Sequence, residues 1–294
     1  SDAPTWALMG QLSWVLSCSY EQVRGYPAEF VLKFVRDLQL GAKGLLRRKK
    51  HINRVDPSID ALQLALSHGA TMRTSSSVVS IEPHDGEREL VVVVDVHDDV
   101  ADDASAAFTT TAASLGTSTP QRYEFDAVII ATEANIVHKI LPRCGKCFRD
   151  VVYQPSSIVV HTDSTLMPPC RTDWRALNVT QRGTDASGMS QLTVWLNSYY
   201  PDETFTVDTF ETWNALHAPR EGSILGGEAF FQRVVHTAQS ERILKDIERE
   251  QGKDSIWFAG SYAVKGMGLL EQAAVSGQRA AAGVLCSLFD EKQV

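Results

Sequence analysis

No stretch of 18 consecutive apolar residues occurs in the chain, so the sequence offers no membrane-spanning helix. The apolar block at 6–18, WALMGQLSWVLSC, is short and follows no basic stretch. It reads as a buried helix rather than a signal peptide. Basic runs are scarce too. Arg47-Arg48-Lys49-Lys50 is the one cluster, in a chain of net charge −8 whose acids and bases are mixed along its length. That balance argues against nucleic acid as a partner and makes the cluster a solvated turn. Cysteine is sparse, with five in 294 residues. An odd number in a chain of this length does not build a disulfide scaffold and points to a reducing, cytoplasmic compartment. Cys144-Gly-Lys-Cys147 has the spacing of a redox pair or half a zinc site. No second C-x-x-C and no H-x-x-x-H completes four ligands, so no metal site is expected and the two read as ordinary loop cysteines. Asn178-Val-Thr180 is too common a pattern to indicate secretion. No internal repeat and no hydrolase triad is recognisable.

What is present is globular: 44% hydrophobic and 22% charged residues, enough chain for one large domain or two ordinary ones. Val23, Tyr26, Phe30, Phe34 and Leu38, with Val31 and Val35, give one apolar helical face across 21–40. Asp56-Pro57 reads as an N-cap with proline at the first helical position, Ile59, Leu62 and Leu66 continue one face, and Gly69 is a stop. Strands are expected at 77–82 and 89–97, joined by a turn at His84-Asp85-Gly86-Glu87. Residues 98–121 hold Asp, Ala, Ser, Thr and Gly with almost no large apolar side chain, and read as a disordered insertion. Tyr123–Thr132 resumes as strand, apolar throughout at 127–131 as in a parallel strand covered on both faces. A composition shift near Pro142 opens a second region with strands at 157–162 and 192–197.

The most informative stretch is 255–285, SIWFAGSYAVKGMGLLEQAAVSGQRAAAGVL. A short strand ends at Ala259. Gly260, Gly266 and Gly268 then permit close backbone approach. A helix follows with Ala273, Ala274, Gly277, Ala280 and Ala281 on neighbouring positions. Its free N–H groups make an anion site. A glycine-rich turn into a well-packed helix is the plain alternative.

This segment resembles the C-terminal flavin motif of the amine-oxidase and phytoene-desaturase superfamily. The matching positions are Phe258-Ala259-Gly260, then Gly268, Glu271, Ala273, Ser276 and Gly277. Ser77–Glu82 is similar to the strand whose backbone lies beside adenine in those proteins. Phe125–Thr132 is similar to the strand that leads back to the flavin crevice. Val152-Tyr153-Gln154-Pro155, His161-Thr162-Asp163, Leu166-Met167-Pro168 and Trp174 to Asn178 look like the middle section of a group of predicted NAD/FAD-binding proteins of bacteria and fungi. The resemblance spans roughly 12–285. It implies an α/β fold in which a partial FAD-binding Rossmann-like domain joins a substrate domain of mostly antiparallel sheet plus helices. The parts are a helical 1–50, an FAD-domain portion 51–141, a substrate domain 142–240 and a flavin-binding strand-loop-helix 241–294. The activity it implies is FAD-dependent oxidation of an apolar or amine-bearing small molecule by hydride transfer to flavin.

The departures matter as much. Such flavoproteins begin with strand, G-x-G-x-x-G and helix. Gly41-Ala42-Lys43-Gly44 follows a helix, lacks a third glycine and is not that motif. The expectation is therefore a C-terminal portion or one chain of a split enzyme, partnered by an N-terminal FAD-binding chain or segment or by a second copy of itself. The alternative is a flavin-free descendant acting as a binding protein, a cyclase or isomerase, or a non-catalytic subunit. Asp56-Pro57 stands where the close group often has paired glycines, and Leu270 where it often has a histidine beside the flavin.

The resemblance assigns cofactor contact to Val79, Gly260, Ser261, Gly266, Met267, Gly268, Leu269 and Leu270. His161 and Asp163, one position apart at a strand end, are candidates for an acid–base pair at the substrate. Lys265, in the loop, is a candidate to neutralise a reduced flavin or a substrate carboxylate. Each has a plain alternative: a histidine satisfied by its neighbours, a solvent-facing lysine. Trp14, Trp174, Trp195, Trp213 and Tyr199 line an apolar pocket or simply form core.

Overall fold

The structure is a computed structural model that describes residues 3–37, 58–83, 90–96, 120–181, 188–201, 203 and 205–290. Three helices come first: α1 (Ala3–Leu16), α2 (Tyr20–Gly25) and α3 (Ala28–Asp37). The helical face read across 21–40 is thus broken. Pro27 pushes Tyr26 out of helical space, to φ −70 and ψ 138. Ser19 opens α2 with a capping box: its hydroxyl accepts from the Gln22 N–H, and the Gln22 side chain accepts from the Ser19 N–H. Helix α4 (Ile59–Leu66) is capped by Ser58, whose hydroxyl accepts from the Ala61 N–H at 3.1 Å. The start expected at Asp56-Pro57 lies outside the described residues. Gly69 follows the helix at φ +84, the left-handed conformation a stop requires.

Strands β1 (Ser76–Pro83), β2 (Leu90–Val96) and β3 (Gln121–Phe125) form an antiparallel three-stranded meander. The turn read at 84–87 and residues 98–119 of the insertion lie outside the described residues. The single strand expected over Tyr123–Thr132 is two. β3 pairs antiparallel with β2, and the chain then bends at Asp126-Ala127. β4 (Val128–Ile130) runs parallel to β10 (Ile256–Phe258). One apolar run cannot serve two sheets of different direction without a corner.

Next come α5 (Ala134–Ile140), a 3-10 turn at Pro142–Cys144 and α6 (Gly145–Arg149). A five-stranded antiparallel sheet follows in the order β6-β7-β8-β5-β9. Its strands are β5 (Val152–His161), β6 (Leu177–Thr180), β7 (Gln191–Trp195), β8 (Phe210–Trp213) and β9 (Ile224–Val235). A short α7 (Leu196–Tyr199) leaves β7. Helix α8 (Ser240–Glu250) leads to β10, and α9 (Leu270–Asp290) ends the described chain.

One core gathers Ile81, Leu90 and Val92 of the meander, Ile130, Ile256 and Phe258 of the parallel pair, Ile243 and Ile247 of α8, and Val234. Phe148 sits fully buried among them with its ring 4.5 Å from that of Phe258. Removing that ring would cost about 3–5 kcal/mol. The core therefore runs across position 142, where composition shifts. A second core joins Leu16, Val23, Tyr26 and Phe30 to Val235 and Met267. The chain is mixed α/β, and among the described residues no helix is long and apolar enough to cross a membrane.

Candidate functional site

In parallel sheets ligands collect where strand carboxyl ends lie side by side. Here β4 runs out into Ala131-Thr132-Glu133, all exposed, and β10 into Ala259-Gly260-Ser261, of which Gly260 and Ser261 are half-buried. The two ends are stitched together by the Ala259 N–H, which donates to the Ile130 carbonyl at 2.9 Å. Beyond β10 the chain takes an eleven-residue loop, 259–269, into α9.

That loop is held from both sides. Gly260 adopts φ +147, and its N–H donates to the Ser276 hydroxyl at 2.8 Å, which in turn donates to the Ala273 carbonyl at 2.7 Å. The Leu269 N–H donates to the Gln272 side chain at 3.0 Å, so the start of α9 carries its own cap. Tyr262, Val264 and Met267 are buried, with Tyr262 in the first core and Met267 in the second. The Lys265 ammonium meets both Glu29 oxygens, at 2.9 and 2.8 Å, and that carboxylate holds it above its usual range. Lys265 thus ties the loop to α3.

The sequence reads the three glycines as openings for a ligand. In the structure each opening is filled by the chain's own side chains. A Cβ at Gly260 would strike the Tyr262 ring, one at Gly266 the Gln272 side chain, and one at Gly268 the Val234 side chain. Leu270 projects into solvent, 78% exposed. Val79 sits in β1 at the register shift between Val78 and Ser80, a bulged residue with no cross-strand partner and a 44% exposed side chain.

His161 and Asp163 lie at the end of β5. Both are buried and both are fully partnered. The Asp163 N–H donates to His161 Nδ1 at 3.1 Å, which fixes Nε2–H as the donor to the Thr212 hydroxyl at 2.8 Å. Burial holds the imidazole below its usual range. Burial alone would raise the Asp163 carboxyl, but N–H groups of Thr165 and Arg220 outweigh it and hold the group low. The pair braces the β5 end against the loop at Arg220. The structure does not bring it into contact with Lys265, whose partner is Glu29.

The aromatics fall into separate groups. Trp174 meets Trp195 edge to face at 5.4 Å, with the Arg171 guanidinium 4.4 Å from the Trp174 ring. Arg171 also grips Asp208 through two nitrogens. Trp213 packs on Phe231 instead.

Sequence reading missed His236. It is 3% exposed, its Nε2 lacks a partner, and its ring meets Tyr26 and Phe30 edge-on behind Gly268. Burial pushes its imidazole down to about 4. Nothing local in the sequence marks it, because the rings it meets, Tyr26 at the end of α2 and Phe30 in α3, are far away along the chain. A groove of about 450 Å³ also opens between α8, β10 and α9, bordered by Trp257, Lys245, Lys265 and Arg279. Comparison with protein-family models finds no match, and comparison with curated proteins finds none either.

Proposed function

We propose that this chain is the flavin-facing portion of an FAD-dependent oxidoreductase of the amine-oxidase type, acting on an apolar or amine-bearing small molecule. The observation that carries the reading is the parallel β4–β10 pair, whose carboxyl ends open side by side next to a glycine loop and a helix start. The resemblance of 255–285 to a flavin motif supplies the cofactor class. Among the described residues no strand pairs with the other edge of β4. α9 covers Trp257 on β10 through Ala280 and Val284, yet Ile129 on β4 remains 40% exposed.

The described residues alone do not fit FAD. Their glycine openings are occupied by Tyr262, Gln272 and Val234, so they form one wall of a site. A further strand, glycine turn and helix alongside β4 would supply the opposite wall. Those same filled openings favour a second reading, a flavin-free descendant serving as a binding protein, a cyclase or isomerase, or a non-catalytic subunit. Titration with FAD separates the two. The first reading expects weak or no binding by this chain alone, and flavin fluorescence quenching once a strand–glycine turn–helix segment is added in trans. No quenching in the mixture would leave the second reading standing. Tight binding by the chain alone would refute the need for a partner.

A further inference from the structure

The C-x-x-C motif is not in a loop. Cys144 is the N-cap residue of α6 and Cys147 lies in its first turn. Residues three apart share one face of a helix, and ideal helix geometry puts their Cα atoms about 5 Å apart, inside the span of a disulfide. Both thiols are free and half-buried. Both line one cleft of about 560 Å³ between α6 and α8. The Cys144 thiol donates to Glu250 at 3.7 Å. The cleft's rim carries Arg143, Lys146, Arg242, Arg249 and Lys253. Arg242, Arg249 and Lys253 pair with Asp150, Asp246 and Glu250, and Arg143 with Asp254, so Lys146 supplies the one excess positive charge.

We propose that Cys144 and Cys147 form a redox-active dithiol that reduces small, carboxylate-bearing disulfides entering this cleft. Glu250 takes the Cys144 proton as the sulfur attacks one sulfur of the substrate. The substrate S–S bond breaks and its first thiolate leaves, collecting a proton. The Cys147 sulfur then attacks Cys144 in the mixed disulfide, an internal S–S bond forms, and the second substrate thiol departs. Two electrons and two protons pass from the cysteine pair to the substrate, which becomes two thiols.

The electrostatics set the direction. Burial first, then the Glu250 charge, raises both thiols, Cys147 to about 11. Arg143 and Lys253 oppose this at Cys144. Dithiols whose thiolates are not stabilised are reductants rather than oxidants. The pair lies one residue from the candidate site: Phe148, next to Cys147, meets Tyr262 edge-on. The proposal does not depend on flavin.

The test uses the full chain carrying Cys170→Ser and Cys286→Ser, which removes the two exposed cysteines. Glutathione disulfide is the probe. The expected result is release of two glutathione molecules per chain and a peptide joined internally at Cys144 and Cys147, reversed by dithiothreitol. Cysteines that stay open to alkylation, or that stop at a glutathione adduct, overturn the proposal. In a second measurement the pH profile of alkylation is followed in Glu250→Gln. Its midpoint should move to lower pH, since the charge that raises both thiols is gone. An unmoved midpoint would exclude Glu250 as the proton acceptor.

Discussion

His236 shows how a single buried group sets a pH response. Its folded value of about 4 lies below the ordinary 6.5, so the unfolded chain binds the proton more tightly. The stability it protects is present above about pH 6.5 and is lost as pH falls toward 4, where the folded state also protonates. The loss should be roughly 2 kcal/mol between about pH 7 and about pH 5. Urea midpoints at those two pH values should differ in the natural chain and differ less in His236→Leu; equal shifts would show that other groups govern the window. Gly268 is the other decisive residue. Its φ of +71 disfavours any side chain, and a Cβ there would collide with Val234. Gly268→Val should therefore destabilise by about 2–5 kcal/mol, combining left-handed strain with overpacking. A folded variant with an unchanged melting temperature would mean the loop sits away from β9.

At the scale of elements, sequence patterning exposed α1, α4 and α9 and the strands β1, β2, β5, β7 and β10, and left α5 to α8, β6, β8 and β9 unread. It missed corners that depend on partners. The apolar run Tyr123–Thr132 reads as one strand because every residue suits one; only the choice of β2 by one half and β10 by the other breaks it. The strand–loop–helix at 255–285 was legible, down to the small residues that let α9 approach β10. What filled the glycine openings was not, since Val234 is more than thirty residues away in sequence and Tyr262 looks like any loop aromatic. His161 and Asp163 drew attention by spacing, but their hydrogen bonds to Thr212, Thr165 and Arg220 were invisible without the sheet. Ser276, noticed as part of a motif, acts as a hook between Gly260 and Ala273. Ser276→Ala would leave the Gly260 N–H without that partner, at a cost of about 1–3 kcal/mol. Hydrogen exchange at Gly260 should quicken in that variant while exchange in the β5–β9 pair stays put.

Across the whole molecule, large apolar side chains are left exposed in several places, the meander and β4 among them. Val78, Val79, Phe125 and Ile129 are each between 39% and 46% exposed, and Leu64 and Leu66 of α4 exceed 70%. An unpaired strand edge flanked by such residues is a template for another chain. The prediction is that the chain associates with itself when no other partner is present. Sedimentation velocity should show a weight-average mass that rises with concentration. Ile129→Lys places a charge on the open side of β4, where Ile130 rather than Ile129 faces the core, so the fold should survive while association weakens. Circular dichroism that matches the natural chain, together with a lower mass at the same concentration, is the expected pair of results. A natural chain that stays monomeric at every concentration would sink the idea. So would an Ile129→Lys protein that associates as before, since the contact would then have to lie on α4 or elsewhere and the β4 edge would have no part in it.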